Sequence, residues 1–543
     1  MKALKTMAVA AAASFLLFTA CKKTVNLNDV STAIPKNALS VTSVNVNSLM
    51  QKADFESVKN MDFYKDGIGK LSNENPALAE IMKNPTKSGI DLTKNIYLTQ
   101  DLNIGAGRSS NTDMTILMSL SNISDFETML KAGKLGNIEK KDGVNYIILK
   151  KEINETNAEG YTISSNLNSM VAWNEKMAVL SSNSNENTVD EGNPAQGGKG
   201  GEAILKYFTT KSEESISKNE MFNKAMSATH DINSFMSFDK YAEEMKGAAA
   251  AMNVDPKALV GNYFTGYGDF EKGQIVSKSE FNINKILVKE WGILFKDKVK
   301  TDFSKYINGQ NVGFAMTMGL DMKGLKEIIN TNAQFKIAAE MAKGRSEFSI
   351  DDLCKALDGD MVIAANPNGK DWQGVMGFKI ADKAAIQKLL NMLSQKEVII
   401  KISDSEFTLS KSVDMLSKGY VGENGKLRIK DDILFVGSNE AVSQMTGNGS
   451  VKAEIKEVLN KNIFGMYANF NQIFANSDDM KDPEFTEMMM TINGKNGESV
   501  IKTKDGNENS LKSLMKAANR WYLKNKTENA FEKEDSKDEK EEI

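Results

Sequence analysis

Arginine, histidine and cysteine are all scarce in this chain of 543 residues, and each shortage removes a kind of chemistry. Only four of the 68 basic residues are arginines: Arg108, Arg345, Arg428 and Arg520. Arginine supplies the planar forks that grip phosphate and carboxylate, so four scattered ones speak against nucleic-acid or phosphate recognition. A formal net charge of -4 offers no basic field to a polyanion. The one histidine, His230, leaves a Ser-His-Asp or Cys-His pair a single choice. It lies in Ala228-Thr229-His230-Asp231-Ile232-Asn233, a polar turn before a strand, and is expected to be solvated. With two cysteines and one histidine, a zinc site would have to be built mostly from carboxylates, which is uncommon. No run after the first twenty residues reaches the roughly 18 apolar residues of a membrane-spanning helix.

What is present begins at the N-terminus. Lys2 and Lys5 precede an apolar run from Met7 to Phe18, the length of a signal-peptide core. It ends in Leu17-Phe18-Thr19-Ala20-Cys21, small residues before a cysteine, the pattern of a bacterial lipoprotein. The expected mature chain starts at lipidated Cys21, with 1–20 a signal peptide and 21–34 a polar tether. Cys354 is then alone. In Leu353-Cys354-Lys355-Ala356-Leu357 it shares a helical face with Leu353 and Leu357 and reads as a small buried hydrophobe.

From Pro35 the chain alternates short strands and short helices, an α+β pattern. Ser40–Val46 reads as a strand, with Asn47 or Ser48 capping a helix that begins at Leu49-Met50. Asp113–Leu120 reads as another strand. Ser124 or Asp125 then caps a helix carrying Phe126, Met129 and Leu130 on one side. Tyr146–Leu149 and Met177–Leu180 are further strands, and Asn185–Gly201, with its glycines and Asn193-Pro194, reads as a surface loop. No GK[ST] follows those glycines, so they do not read as a phosphate loop.

Five blocks recur in order. Val41–Leu49 resembles Val312–Leu325, and Ile116–Leu130 resembles Val375–Leu390. Ala178–Asn183 resembles Leu434–Asn439, Ser237–Tyr241 resembles Asn469–Ile473, and Gly273–Lys278 resembles Gly497–Lys502. The offset falls steadily, as it does when one copy of a duplication has gained insertions. The expectation is two tandem, similar domains, 35–305 and 306–526, each an antiparallel sheet with helices packed on it. A charged tail, 527–543, is expected to be disordered.

The chemistry on offer is carboxylate. The chain has 72 Asp and Glu. Asp358 and Asp360 read as a turn before the strand Met361–Ala365. Asp478-Asp479-Met480-Lys481-Asp482 lacks the Gly at position six and the Glu at position twelve of a calcium loop. Met488-Met489-Met490 and most of the 30 methionines read as core filling. Tyr263-Phe264, Tyr267 and Phe270 read as an aromatic hairpin rather than a sugar shelf. No catalytic, cofactor-binding or metal-ligating residue is assigned, and no cofactor is expected; Cys21 is the one modification site.

The start at Cys21, the entry Ile34-Pro35-Lys36-Asn37-Ala38-Leu39-Ser40-Val41, the run Val44-Asn45-Val46-Asn47-Ser48-Leu49 and the Lys/Asn-rich composition resemble large lipoproteins of Bacteroidetes that share a domain of unknown function. The resemblance implies an envelope location and carries no site residues. Two functions follow as expectations. One is a lipid-anchored envelope binding or interaction protein without catalytic activity, probing an envelope protein or glycan and no nucleic acid. The other is a carboxylate-dependent hydrolase acting on glycan or cell-wall material.

Overall fold

The computed structural model describes residues 30–104, 110–156, 162–185, 198–239, 242, 255–308, 312–346, 349–368, 371–410, 425–446, 449–475 and 483–541. Cys21, its leader and Asp478-Asp479 lie outside the described residues. Packing divides the chain into two compact units, one of Met1–Glu244, Tyr263–Lys272 and Asn507–Ile543, the other of Met245–Asn262 and Gly273–Gly506.

Among the described residues of the first unit nine strands form: β1 (Ser40–Val44), β2 (Ile96–Ile104), β3 (Ser110–Ser119), β4 (Glu139–Lys141), β5 (Val144–Thr156), β6 (Thr162–Trp173), β7 (Met177–Asn185), β8 (Ile232–Ser237) and β9 (Tyr263–Glu271). Every neighbour is antiparallel, in the order β4-β5-β6-β7-β3-β2-β1-β8-β9. Successive side chains of a strand point to opposite faces. Ile96, Val171, Trp173 and Ala178 therefore meet the helices Val46–Ala53 and Ile123–Ala132 on one face. Tyr97, Leu117, Ala172 and Val179 meet the helices Gly198–Thr209 and Glu220–Met226 on the other. Trp173 is fully buried, edge-on to Phe126, and its indole N–H donates to Glu127 at 3.1 Å.

The second unit holds β10 (Gln274–Asn282), β11 (Phe314–Gly319), β12 (Leu357–Asn368), β13 (Asp371–Ile380), β14 (Ile399–Ser403), β15 (Glu406–Leu409), β16 (Lys426–Lys430), β17 (Ile433–Gly437), β18 (Phe464–Asn469), β19 (Phe485–Asn493) and β20 (Asn496–Thr503). Their antiparallel order is β14-β15-β16-β17-β13-β12-β11-β18-β19-β20-β10. Taken one for one, β11 to β19 stand as β1 to β9 do. The five recurring sequence blocks fall on β1 and β11, β3 and β13, β7 and β17, β8 and β18, and β10 and β20.

The packing units do not follow the tandem boundary at 305/306. β10 pairs β20 over seven residues, which draws it into the second unit. The C-terminal helix lies with the first, where Leu511 and Met515 pack beside Val46 and Tyr64 and Lys512 pairs with Asp54 at 2.7 Å.

Caps explain where the helices start. Asn45, not Asn47 or Ser48, caps Val46–Ala53 by accepting from Ser48 N. Asn122, not Ser124 or Asp125, accepts from both of their amides and caps Ile123–Ala132, which buries Phe126, Met129 and Leu130. Asp321 and Asp382 play the same part for Met322–Thr331 and Lys383–Gln395. In each case an Asn or Asp stands outside the first turn and satisfies amides that lack helical partners.

Three expectations change. Residues 30–34, assigned to the tether, belong to the core: Val30–Ala33 form a 3-10 turn, and Val30 and Ile34 are buried. Two apolar side chains gain more against the sheet than in water. The loop Asn185–Gly201 is partly helix, since Gly198–Thr209 is helical, drawn in by the buried Ile204 and Tyr207; 186–197 lie outside the described residues. The acidic tail is helical as far as Glu541, in one helix from Ser510. That stretch contains no Gly or Pro, and Glu and Lys are good helix formers.

Candidate functional site

A cavity of about 430 Å³ opens in the second unit at the start of β12. Gly359 makes it. Its φ is +102°, and a Cβ there would lie 2.0 Å from the Leu320 carbonyl oxygen, so only glycine fits. The register of β12 against β13 shifts between Leu357 and Met361 at this point. Asp358 and Asp360, two residues apart, both reach the ammonium group of Lys296, at 2.8 Å for Asp360. The other Asp360 oxygen accepts from Lys300 N at 2.9 Å, Thr301 N at 2.8 Å and Thr301 Oγ1 at 2.8 Å. Its side chain is wholly buried. Burial alone would raise its pKa, but the bonds from Lys296 and Thr301 outweigh it and hold the carboxyl below the usual carboxylate range. Lys296 is held above its ordinary value by Asp358 and Asp360, against its own burial.

The opposite wall comes from a two-residue hairpin turn. Lys430 pairs with Ile433, so Asp431 and Asp432 form the turn with φ of 51° and 60°. Both central residues of such a turn need positive φ, which Asp tolerates better than most. Asp431 lines the cavity and accepts from Tyr306 Oη at 3.2 Å, while Asp432 takes Lys383 at 2.6 Å and Lys379 at 3.9 Å. Burial, then Asp431, pushes the Tyr306 hydroxyl up to about 12. Asp302 accepts from Ser304, Asn460 and Lys456, which overcome its burial and lower its pKa. Lys300, Lys305, Lys379 and Ile433 complete the lining.

A second polar cluster stands in the first unit around His230, which is not solvated as the sequence suggested. Its Nδ1 lies 2.6 Å from Asp269 Oδ2, and its ring stacks on Tyr267 at 3.6 Å. Asp269 also accepts from Asp231 N at 3.1 Å. Asp231, 1% exposed, accepts from Ser48 Oγ at 2.5 Å, Lys52 Nζ at 2.6 Å and Phe270 N at 2.7 Å. Pairing β8 with β9 brings His230 and Asp269 together across 39 residues of chain. Every acceptor oxygen named here is occupied, so the cluster reads as a staple.

The remaining candidates fall elsewhere. Cys354 is half-buried in Ile350–Ala356, and burial, then Asp351, raises its thiol pKa, which keeps it protonated and unreactive. Met488 to Met490 lie in β19, where Met489 is buried. Tyr263, Tyr267 and Phe270 lie in β9, and Tyr263 stacks on Phe235 of the core. Among the described residues, no group of three or more His, Cys, Asp or Glu is placed to hold a metal ion. No helix among them is long and apolar enough to cross a membrane. Sequence reasoning noticed Asp358 and Asp360 but read them as a turn, and it missed Lys300, Lys305, Tyr306 and Asp431. Their one signal was Asp431-Asp432 between an alternating stretch, Lys426–Lys430, and an apolar one, Ile433–Gly437, the length of a tight hairpin turn.

A model of a domain of unknown function, DUF4836, matches residues 31–471. The chain belongs to this family. No curated protein matches it. Among solved structures it is similar to crystal form IV of TP0453, with TM-score 0.21 and 8% identity, covering 48% of this chain and 84% of that one. Crystal form III of the same protein gives 0.20 and 8%, with 48% and 85% covered.

Proposed function

We propose that this DUF4836 protein is a lipid-anchored binding protein of the cell envelope, held to the outer membrane through Cys21 and acting without catalysis. The observation that carries the binding reading is the cavity at β12. Its volume is that of a small-ligand site. Its most buried carboxylate, Asp360, is held ionised and accepts four hydrogen bonds. A glycosidase needs one carboxylic acid that keeps its proton at working pH. Asp360 and Asp302 are both shifted the other way. The lipid anchor is supported by the sequence before Cys21 and by its likeness to Bacteroidetes lipoproteins.

Protein purified from membranes and exposed to envelope glycans tests this. The expected result is binding without product and an intact mass carrying lipid at Cys21. Steady hydrolysis abolished by Asp358→Asn or Asp431→Asn, with the fold intact, would replace this reading with the carboxylate-dependent hydrolase. A Cys21→Ala chain that stayed membrane-bound would remove the anchor.

A further inference from the structure

We propose that the cavity at β12 takes a small acidic carbohydrate, a sugar bearing one carboxylate. This rests on reading the cavity as a ligand site. The class follows from which lining groups are already satisfied. Asp360 and Asp302 have their partners within the protein. Among the described residues, the ammonium groups of Lys300 and Lys305 have no ion-pair partner. Asp358 gives one oxygen to Lys296, and Asp431 gives one to Tyr306. The second oxygen of each has no hydrogen bond among those residues. The cavity thus presents two unpaired lysines, a third, Lys379, that pairs with Asp432 at 3.9 Å, and two open carboxylate oxygens.

A matching ligand carries an anion for the lysines and neutral donors for the carboxylates. Hydroxyls fit better than an ammonium, because Lys296 already answers the charge of Asp358 and three further lysines, Lys300, Lys305 and Lys379, line the space. A phosphate or sulfate ion, rich in acceptors, would meet Asp358 and Asp431 unfavourably. Lysine, a point charge, suits a single carboxylate as well as arginine does. No aromatic face offers stacking: Tyr306 is 7% exposed and its ring lies edge-on to Phe435 at 5.3 Å. Charge must therefore supply what stacking supplies in neutral-sugar sites.

Calorimetric titration of the full-length protein in detergent, at low salt, tests this with four probes: glucuronate, glucose, glycine and inorganic phosphate. Glucuronate is expected to bind, with glucose at least about tenfold weaker, the loss of a charge-assisted bond. The double variant Lys300→Gln, Lys305→Gln should weaken glucuronate by about tenfold or more, and Asp431→Asn should weaken it further. An unchanged melting temperature shows that the double variant folds. A fifth probe, the disaccharide of glucuronate linked to glucose, keeps one carboxylate and separates a free sugar acid from one at the end of a glycan chain: tighter binding than glucuronate assigns the chain. Equal binding of glucose and glucuronate, or a double variant that binds as the parent does, overturns the proposal. If glycine or phosphate binds through Lys300 and Lys305 and glucuronate does not, the ligand class is wrong and the binding reading stands. If no probe binds in a way that depends on these residues, both fall.

Discussion

Near the end of β8 in the first unit, Phe235 stacks on Tyr263 of β9, their ring centroids 5.6 Å apart. At the same register in the second unit, Tyr467 of β18 donates instead to Glu487 of β19 at 3.3 Å. Ser237 pairs with Tyr263 as Asn469 pairs with Glu487, so the backbone positions correspond. One site is an aromatic stack. The other is a polar knot in which Lys452 and Lys502 also hold Glu487, at 2.9 and 3.2 Å. The sheet edges differ likewise: β4 is Glu139-Lys140-Lys141, whereas β14 exposes Ile400 and Ile402. Strand order decides which backbone positions face each other. It leaves open what fills them.

The two buried carboxylates carry the same lesson into function. Asp231 joins the helix Val46–Ala53 to β9, and Asp360 joins the segment 296–301 to β12. Asp231 is closed in by its donors, while Asp360 forms the wall of a cavity. The largest expected effect is at the second. Asp360→Asn leaves Lys296 short of a partner and should cost about 3–5 kcal/mol, as breaking a buried pair does. Hydrogen exchange should show β12 amides losing protection while β2 amides keep theirs; equal loss in both would end the contrast between the units.

Asp231→Asn should cost less, about 1.5–3 kcal/mol. An amide oxygen can still accept from Ser48 or Phe270 N, and Lys52, 29% exposed, can turn to water. The same exchange measurement on β8 and β9 gives the value, and a larger loss here than at Asp360 reverses the ranking.

Acid sharpens the comparison. The Asp360 pKa is lowered on folding. Its contribution is fully present above the unfolded value of about 3.9 and is lost as pH falls through the lower folded value. Lys296 is raised, so its share is present below about 10.4 and is lost as pH rises through the folded value. The stability difference between parent and Asp360→Asn should therefore be flat from about pH 5 to 10 and shrink below pH 4. A difference that instead changed around pH 6 to 7 would assign the effect to another group.

Tyr467→Phe gives the second unit the first unit's apolar side chain at that register. Glu487 keeps both lysines, so the cost should be about 0.5–1.5 kcal/mol in a melting experiment. The smallest effect is at His230, whose side chain is 26% exposed. His230→Phe keeps a ring for Tyr267 and loses Asp269, at a cost below about 1 kcal/mol. No change at all would restore the solvated reading of this residue.

Much of the fold was legible from local pattern. Phe126, Met129 and Leu130 share a helix face because the spacing of three and four is a property of the helix itself. Val179 and its neighbours read as strand because both faces of β7 are buried. The caps were misplaced by two or three residues, since Asn45 and Asn122 compete with several nearby polar residues for the same amides. Of the ten residues lining the candidate site, only Asp358 and Asp360 drew notice in the sequence, and there as a turn. Tyr306 and Lys300 carried no local mark and Asp431 only that of a tight turn; they meet only where the 3-10 turn Phe303–Lys305 and the β16–β17 hairpin converge.

By itself the sequence determined which side chains are scarce, the alternation of strand and helix, and the ordered recurrence of five blocks. These depend on composition and on contacts within about a dozen residues. Only the tertiary structure decided that His230 is held by Asp269, that residues 30–34 are core, and that Asp360 walls a cavity. The reason is physical. A carboxylate's role depends on the donors around it and on its distance from water, and for Asp231 and Asp360 those donors come from segments up to 183 residues away.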